Sequence, residues 1–125
     1  MTEAKCLGNL GEKIAEKYLI KRGYRILVNN FRVGHKELDL IVKRHGLITA
    51  FEVKTRKNWS STTGRSELGA EECLTRRQTR RLQIALQAYC YKNRLKFETA
   101  QGDLIIVLIN TANRSAQIKH YPKIF

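Results

Sequence analysis

The run Leu104 to Ile109, LIIVLI, leaves this chain few architectures, because six apolar residues in succession read as a strand covered on both faces. We place it at the centre of the sheet. Upstream, from about Ala70 to Asn93, apolar residues recur at helical spacing, and a helix of that length between strands is the crossover that parallel strands require. The other elements follow from periodicity. Leu7, Leu10, Ile14 and Tyr18 mark a first helix from about Asn9 to Arg22, with Gly23 as its stop. Tyr24 to Phe31 reads as a strand, Arg32 to Lys36 as a polar connection, and Asn110 to Ser115 as a turn. Ala116 to Tyr121 alternates like an edge strand that Pro122 ends. With the hairpin described next, the order is helix, three strands, helix, two strands. That order is consistent with an α/β chain whose mixed sheet is flanked by helices, although periodicity alone does not rank it first, and the 125 residues suit a single domain over 1–125.

The chemistry concentrates between Lys36 and Lys54, KELDLIVKRHGLITAFEVK. Side chains of a strand alternate faces, so Leu38, Leu40 and Val42 share one side while Glu37 and Asp39 share the other. In the following run Phe51 and Val53 point one way, and Ala50, Glu52 and Lys54 the other. Register decides whether the two charged faces coincide. A two-residue turn at His45-Gly46, positions that need positive φ, pairs Arg44 with Leu47 and hence Asp39 with Glu52 and Glu37 with Lys54. A four-residue turn keeps the same parity, whereas a three-residue loop sets Asp39 against the apolar Phe51. Opposed acids repel across a ladder, and a hard divalent cation cancels that cost. A polar, solvated sheet face is the plain alternative.

Charge and cysteines bound the function class. Lys and Arg number 24 against 11 acids, a formal net charge of +13, which attracts polyanions, nucleic acid foremost. No segment approaches a transmembrane helix and the N-terminal stretch lacks the apolar core of a signal peptide, so a cytoplasmic chain without a membrane partner is expected. Cys6, Cys73 and Cys90 show no C-x-x-C spacing and are expected as buried, reduced thiols. His35, His45 and His120 are too scattered for a ligand set and are given ordinary surface roles.

Two basic stretches stand out. After Lys54 the polar run Arg56 to Ser66 reads as a loop carrying Arg56, Lys57, Trp59 and Arg65; Trp59 either stacks on a base or folds back on the body. On the second helix Arg76, Arg77, Arg80 and Arg81 cluster opposite Leu74, Leu82, Ala85, Leu86 and Tyr89, a face suited to tracking phosphates, with a merely solvated face as the plain alternative. Gln78 falls within the apolar arc and needs a hydrogen-bond partner; the carboxylate cluster is the expected one.

Asp39 followed by Glu52-Val53-Lys54 resembles the D…ExK signature of the restriction-endonuclease-like nucleases, and KELDLI with FEVKTR is similar to the GEIDLI and VEVK/R motifs of the bacterial YraN family. The likeness extends through Gly8-Asn9-Leu10-Gly11-Glu12 with Ala15, Tyr18 and Leu19, through Asn30 after GYRIL, and through Leu68-Gly69, Arg77-Gln78, Leu82 and Ala85 to Ile118 and Phe125. Lys36, Arg77 and Gln101-Gly102-Asp103 depart from the family's usual residues. The resemblance implies a three-layer α/β/α sandwich and a metal-dependent endonuclease or resolvase-like protein. In that reading Asp39 and Glu52, with the Val53 carbonyl, hold Mg²⁺ or Mn²⁺, and Lys54 positions water or neutralises charge. Glu37 and Glu12 hold further waters or a second ion, and Gln78 is turned to the same pocket. The substrate is nucleic acid, DNA ahead of RNA, and pairing of two copies as a homodimer stays open. A nuclease-like fold that only binds nucleic acid is the competing reading, with a basic protein-interaction domain behind it.

Overall fold

The computed structural model describes residues 2–57 and 74–125. Helix α1 (Glu3–Lys21) begins ahead of the expected Asn9 because Thr2 caps it, its hydroxyl accepting the Lys5 N–H at 3.1 Å. Its buried face is Gly11, Ala15 and Leu19, one residue per turn. Leu10, expected in the apolar stripe, is 47% exposed. The stripe is rotated because Gly11 is the point of closest approach: a Cβ there would lie 1.8 Å from Thr55 Oγ1, so only glycine lets the helix rest on the sheet at this height.

Strands β1 (Arg25–Val33), β2 (Lys36–Arg44) and β3 (Leu47–Lys57) form an antiparallel meander; helix α2 (Arg76–Lys92) and a short 3₁₀ turn (Phe97–Thr99) lead to β4 (Ala100–Asn110) and β5 (Ser115–Tyr121). The sheet order is β1-β2-β3-β4-β5, with β3 and β4 parallel and the other neighbours antiparallel. His45 (φ 53°) and Gly46 (φ 78°) make the two-residue turn, and Arg44 pairs with Leu47 as the parity argument requires. LIIVLI lies in β4, one strand from the middle; β3 is central. An apolar run reports cover on both faces, and every strand beneath both helices has that whatever its place in the order.

The two faces carry separate cores. Ala15 and Leu19 of α1 pack with Leu40, Val42, Phe51, Val53, Ile105 and Val107. Leu82, Ala85, Leu86 and Tyr89 of α2 pack with Ile41, Ala50, Leu104 and Ile106. A helix on each side of one mixed sheet is the three-layer α/β/α arrangement, in the order α-β-β-β-α-β-β.

The last residues are fastened to the start of β4. The Phe125 ring occupies the space a Gly102 side chain would fill, and the Ile124 N–H donates to the Gly102 carbonyl at 2.8 Å. Asp103, 1% exposed, accepts from Gln101 Nε2 at 2.8 Å and from the Lys123 N–H at 3.0 Å, and His120 Nε2 lies 2.6 Å from its other oxygen. His120 is therefore no ordinary surface histidine: its ring satisfies a buried carboxylate and leans on Phe51. Cys90 is buried as expected, Cys6 is exposed on the first turns of α1, and Cys73 lies outside the described residues. No described helix is long and apolar enough to cross a membrane.

Candidate active site

The site arises where the meander loses its regular alternation. Leu40, Ile41 and Val42 of β2 alternate between the α1 and α2 cores, so Leu38 was due beside Leu40 on the α1 side. It packs instead in the α2 core. The same break runs through β1: the Asn29 amide reaches Glu16 of α1, whereas Phe31, two residues on, meets Tyr89 of α2 edge-on with ring centroids 5.3 Å apart. Between them Asn30 adopts φ 55°, a left-handed conformation that asparagine tolerates. The register sets Asn30 across from Asp39, since Asn29 pairs with Leu40 and Phe31 with Leu38.

The ladder between β2 and β3 runs from Arg44–Leu47 to Leu40–Phe51 and stops there. Asp39, the next residue, uses its side chain where the ladder has ended: Oδ2 accepts the Val53 N–H at 2.8 Å. Glu52, between the α1-side residues Phe51 and Val53, projects the other way with Lys54, whose Nζ is 3.9 Å from Glu52 Oε2. The Glu52 side chain is 16% exposed. Its pKa is pushed up to about 9, first by burial and then by the hydrogen-bonding contact and charge of Asp39, with Lys54 opposing. Glu12 enters from α1; burial, then Asp39, then Glu37 raise its carboxyl to about 7. Asp39 thus links two sets of charges where β2 leaves β3 midway along it: Glu52 with Lys54 on β3, and Glu12 of α1 with Glu37 of β2.

Asn30 joins this group, although no role had been drawn for it from its own chemistry. With its amide nitrogen toward the carboxylates it lies 2.8 Å from Glu37 Oε1 and 3.2 Å from Glu12 Oε1, and Glu37 is also paired with Arg32 Nε at 3.2 Å. The available signal was an asparagine pair interrupting the apolar run of β1, at a residue type that accepts positive φ.

Among the described residues no three His, Cys, Asp or Glu side chains gather closely enough to hold a metal ion between them. The set Asp39, Glu52 and the Val53 carbonyl offers two carboxylates and one neutral oxygen. Mg²⁺ is commonly held by one or two carboxylates together with substrate phosphates and water, and the donor set fits an ion completed in that way.

Other expected residues are placed differently. Gln78 is not turned to the acids: its Oε1 accepts the Thr75 N–H at 2.9 Å while its own N–H donates to Thr75 Oγ1 at 3.1 Å, a capping box at the start of α2. Arg56 and Lys57 belong to the end of β3 rather than to a loop; Arg56 Nη1 donates to the Thr55 carbonyl at 3.0 Å, and Lys57 Nζ pairs with Glu3 of α1 at 2.5 Å. Arg76, Arg77, Arg80 and Arg81 are exposed on the first turns of α2, across the sheet from α1. Trp59 and Arg65 lie outside the described residues.

Residues 11–107 match the model of the Uncharacterised protein family UPF0102. A UPF0102 protein of Trichlorobacter lovleyi is 39% identical over 120 residues, covering 95% of this chain and 89% of its own. One from Clostridium acetobutylicum is 36% identical over 118 residues, 94% of this chain and 92% of its own. A Bacteroides fragilis relative is 33% identical over 128 aligned positions, spanning both chains in full.

Proposed function

The chain belongs to the UPF0102 family, the YraN proteins, and from the site it carries where β2 leaves β3 we propose that it is a metal-dependent nuclease hydrolysing phosphodiester bonds, in DNA ahead of RNA. One observation carries the reading: Asp39 is fixed by the Val53 N–H beside a largely enclosed Glu52, whose carboxyl burial and then Asp39 push up to about 9, with Lys54 adjacent. Two acids kept this close at a cost in repulsion are a site awaiting positive charge. Asp39, Glu52 and the Val53 carbonyl would hold Mg²⁺ or Mn²⁺, which would supply polarisation of the phosphate and acidification of water.

The chain's own groups do the positioning. The Val53 N–H orients the Asp39 carboxylate. Lys54 places an ammonium where negative charge develops on the phosphate or its attacking water. Glu12 and Glu37, tied together through Asn30, orient water on the α1 side. The excess of basic residues over acids draws the polyanion in without reading its sequence.

Incubation of branched, linear duplex and single-stranded DNA with Mg²⁺, Mn²⁺ or chelator tests the proposal. Cleavage should require the ion, and Asp39→Ala should lower it by at least about a hundredfold, since an ion's Lewis acidity is worth several kcal/mol in the transition state, while binding persists. A wild-type protein that binds all three substrates and cuts none with either ion would leave a nucleic-acid-binding module on this fold.

A further inference from the structure

Beside the acids, α1 and the β1–β2 ribbon enclose a cleft of about 490 Å³. From α1 it receives Lys5, Asn9, Glu12, Lys13 and Glu16, whose spacing puts them on one stripe of the helix; from the ribbon it receives Asn29, Asn30, Arg32 and Glu37. At Arg32 and Glu37 it adjoins a smaller cavity of about 280 Å³ walled by His35 and Lys36 at the ribbon's tip. The two form a furrow that starts at the helix, passes Glu12 and ends on the turn.

Cations, amides and carboxylates alternate along this furrow, which is not the lining of an apolar ligand pocket. Lys5, Lys13 and Lys36 answer phosphates, while Arg32 is paired with Glu37 and the Asn29 and Asn30 amides are turned to Glu16, Glu37 and Glu12. The volume decides the form of the ligand. About 300–1,000 Å³ is the range of pockets that enclose a molecule of nucleotide size, whereas a duplex is far too wide to enter between a helix and the strand beside it.

We propose that the α1–β1 furrow takes an unpaired strand of the substrate on one side of the scissile phosphate, making the protein selective for DNA that is single-stranded or branched next to the cut. This rests on the nuclease reading for what happens at Asp39 and Glu52, but the furrow's preference is a property of binding and is measured without catalysis. The arginine face of α2 lies on the other side of the sheet and is the internal control.

The test is fluorescence anisotropy in chelator, with a labelled single-stranded oligodeoxynucleotide and the blunt duplex made from it, at several salt concentrations. Lys5→Ala/Lys13→Ala is the variant, because both residues are exposed on α1 and alanine keeps the helix. Circular dichroism and a melting curve establish that it is folded. Single-strand affinity should fall roughly tenfold and its log-log salt slope should flatten by about 1.4 for two contacts, with duplex affinity changed less than about twofold. Equal losses on both probes, or none on the single strand, would overturn the proposal. A second variant, Lys36→Ala at the ribbon's tip, should repeat the single-strand selectivity at about half the slope change. Absence of cleavage in the metal experiment sinks the nuclease reading and leaves this binding result standing, so the two failures are distinguishable.

Discussion

At the scale of single residues, the protein places acids where they are least comfortable. Glu12 and Glu52 hold their protons more tightly folded than unfolded, at about 7 and about 9 against an ordinary 4.5. The sign follows from proton counting: the folded chain binds more protons between the unfolded and folded pKa values, so stability is greatest below the unfolded value and falls as pH rises through 7 and then 9. In chelator, Glu52→Gln should therefore melt progressively higher than wild type as pH is raised from 6 to 9, each kcal/mol amounting to about 4 °C for a chain of this size. Parallel melting curves across that range would remove Glu52 from the strained pair. Mg²⁺ or Mn²⁺ should reverse the trend in wild type by binding the ionised, folded form, and should leave the Gln variant nearly unmoved. Asn30 is the other residue whose conformation is set by the site. Asn30→Ala places a Cβ-bearing, non-amide residue at φ 55° and unties Glu12 from Glu37, and should cost about 1–2 kcal/mol in a denaturant titration.

At the scale of elements, what could be read from the sequence was whatever a local rule determines. The hairpin register was legible because His45-Gly46 accepts the turn's positive φ and only one parity keeps Asp39 off the core. The face of Leu38 was not, because strict alternation has no means of announcing a break, and the break at Asn30 and Asp39 is what swings the acid toward Val53. Gln78 was misread for a similar reason: its place in the apolar arc suggested an inward partner, while Thr75-x-x-Gln78 spelled a capping box that binds it to its own helix. The Asp103–His120 pair joins two strands through a contact no local pattern encodes. These reassignments separate by experiment. Thr75→Ala should destabilise by about 1 kcal/mol through loss of the cap, and Gln78→Ala by less, with cleavage by either folded variant near the wild-type rate. A hundredfold loss of cleavage from Gln78→Ala with an unchanged melting temperature would return Gln78 to the site.

At the scale of the molecule, the sheet separates two basic surfaces that the sequence alone could not place relative to each other. The α1 side carries Lys5 and Lys13 along the furrow that leads past the acids; the α2 side carries Arg76, Arg77, Arg80 and Arg81, all exposed. A single phosphate cannot touch both, so the surfaces are expected to act on different parts of a substrate. Arg76 and Arg80 project from the first turns of α2 beside Leu74 and Ile124, around a cavity of about 670 Å³, and Leu82, Ala85 and Leu86 fix the helix from the opposite face. Replacing both arginines with alanine should leave the fold intact, because alanine favours the helix and neither side chain is buried. Binding of unrelated duplex sequences should weaken by a common factor, and the log-log salt slope should flatten by about 1.8 for two phosphate contacts. The measurement is the same anisotropy titration used for the furrow, and the comparison is what gives it force. If the arginine face holds the paired arm and the furrow the unpaired one, the two double variants lose affinity on different probes, and their effects add on a branched substrate because the sites lie on opposite layers and share no contact. Wild-type duplex affinity and slope in the Arg76→Ala/Arg80→Ala protein would show that face to be merely solvated, and the paired arm would then have to be held elsewhere on the basic surface.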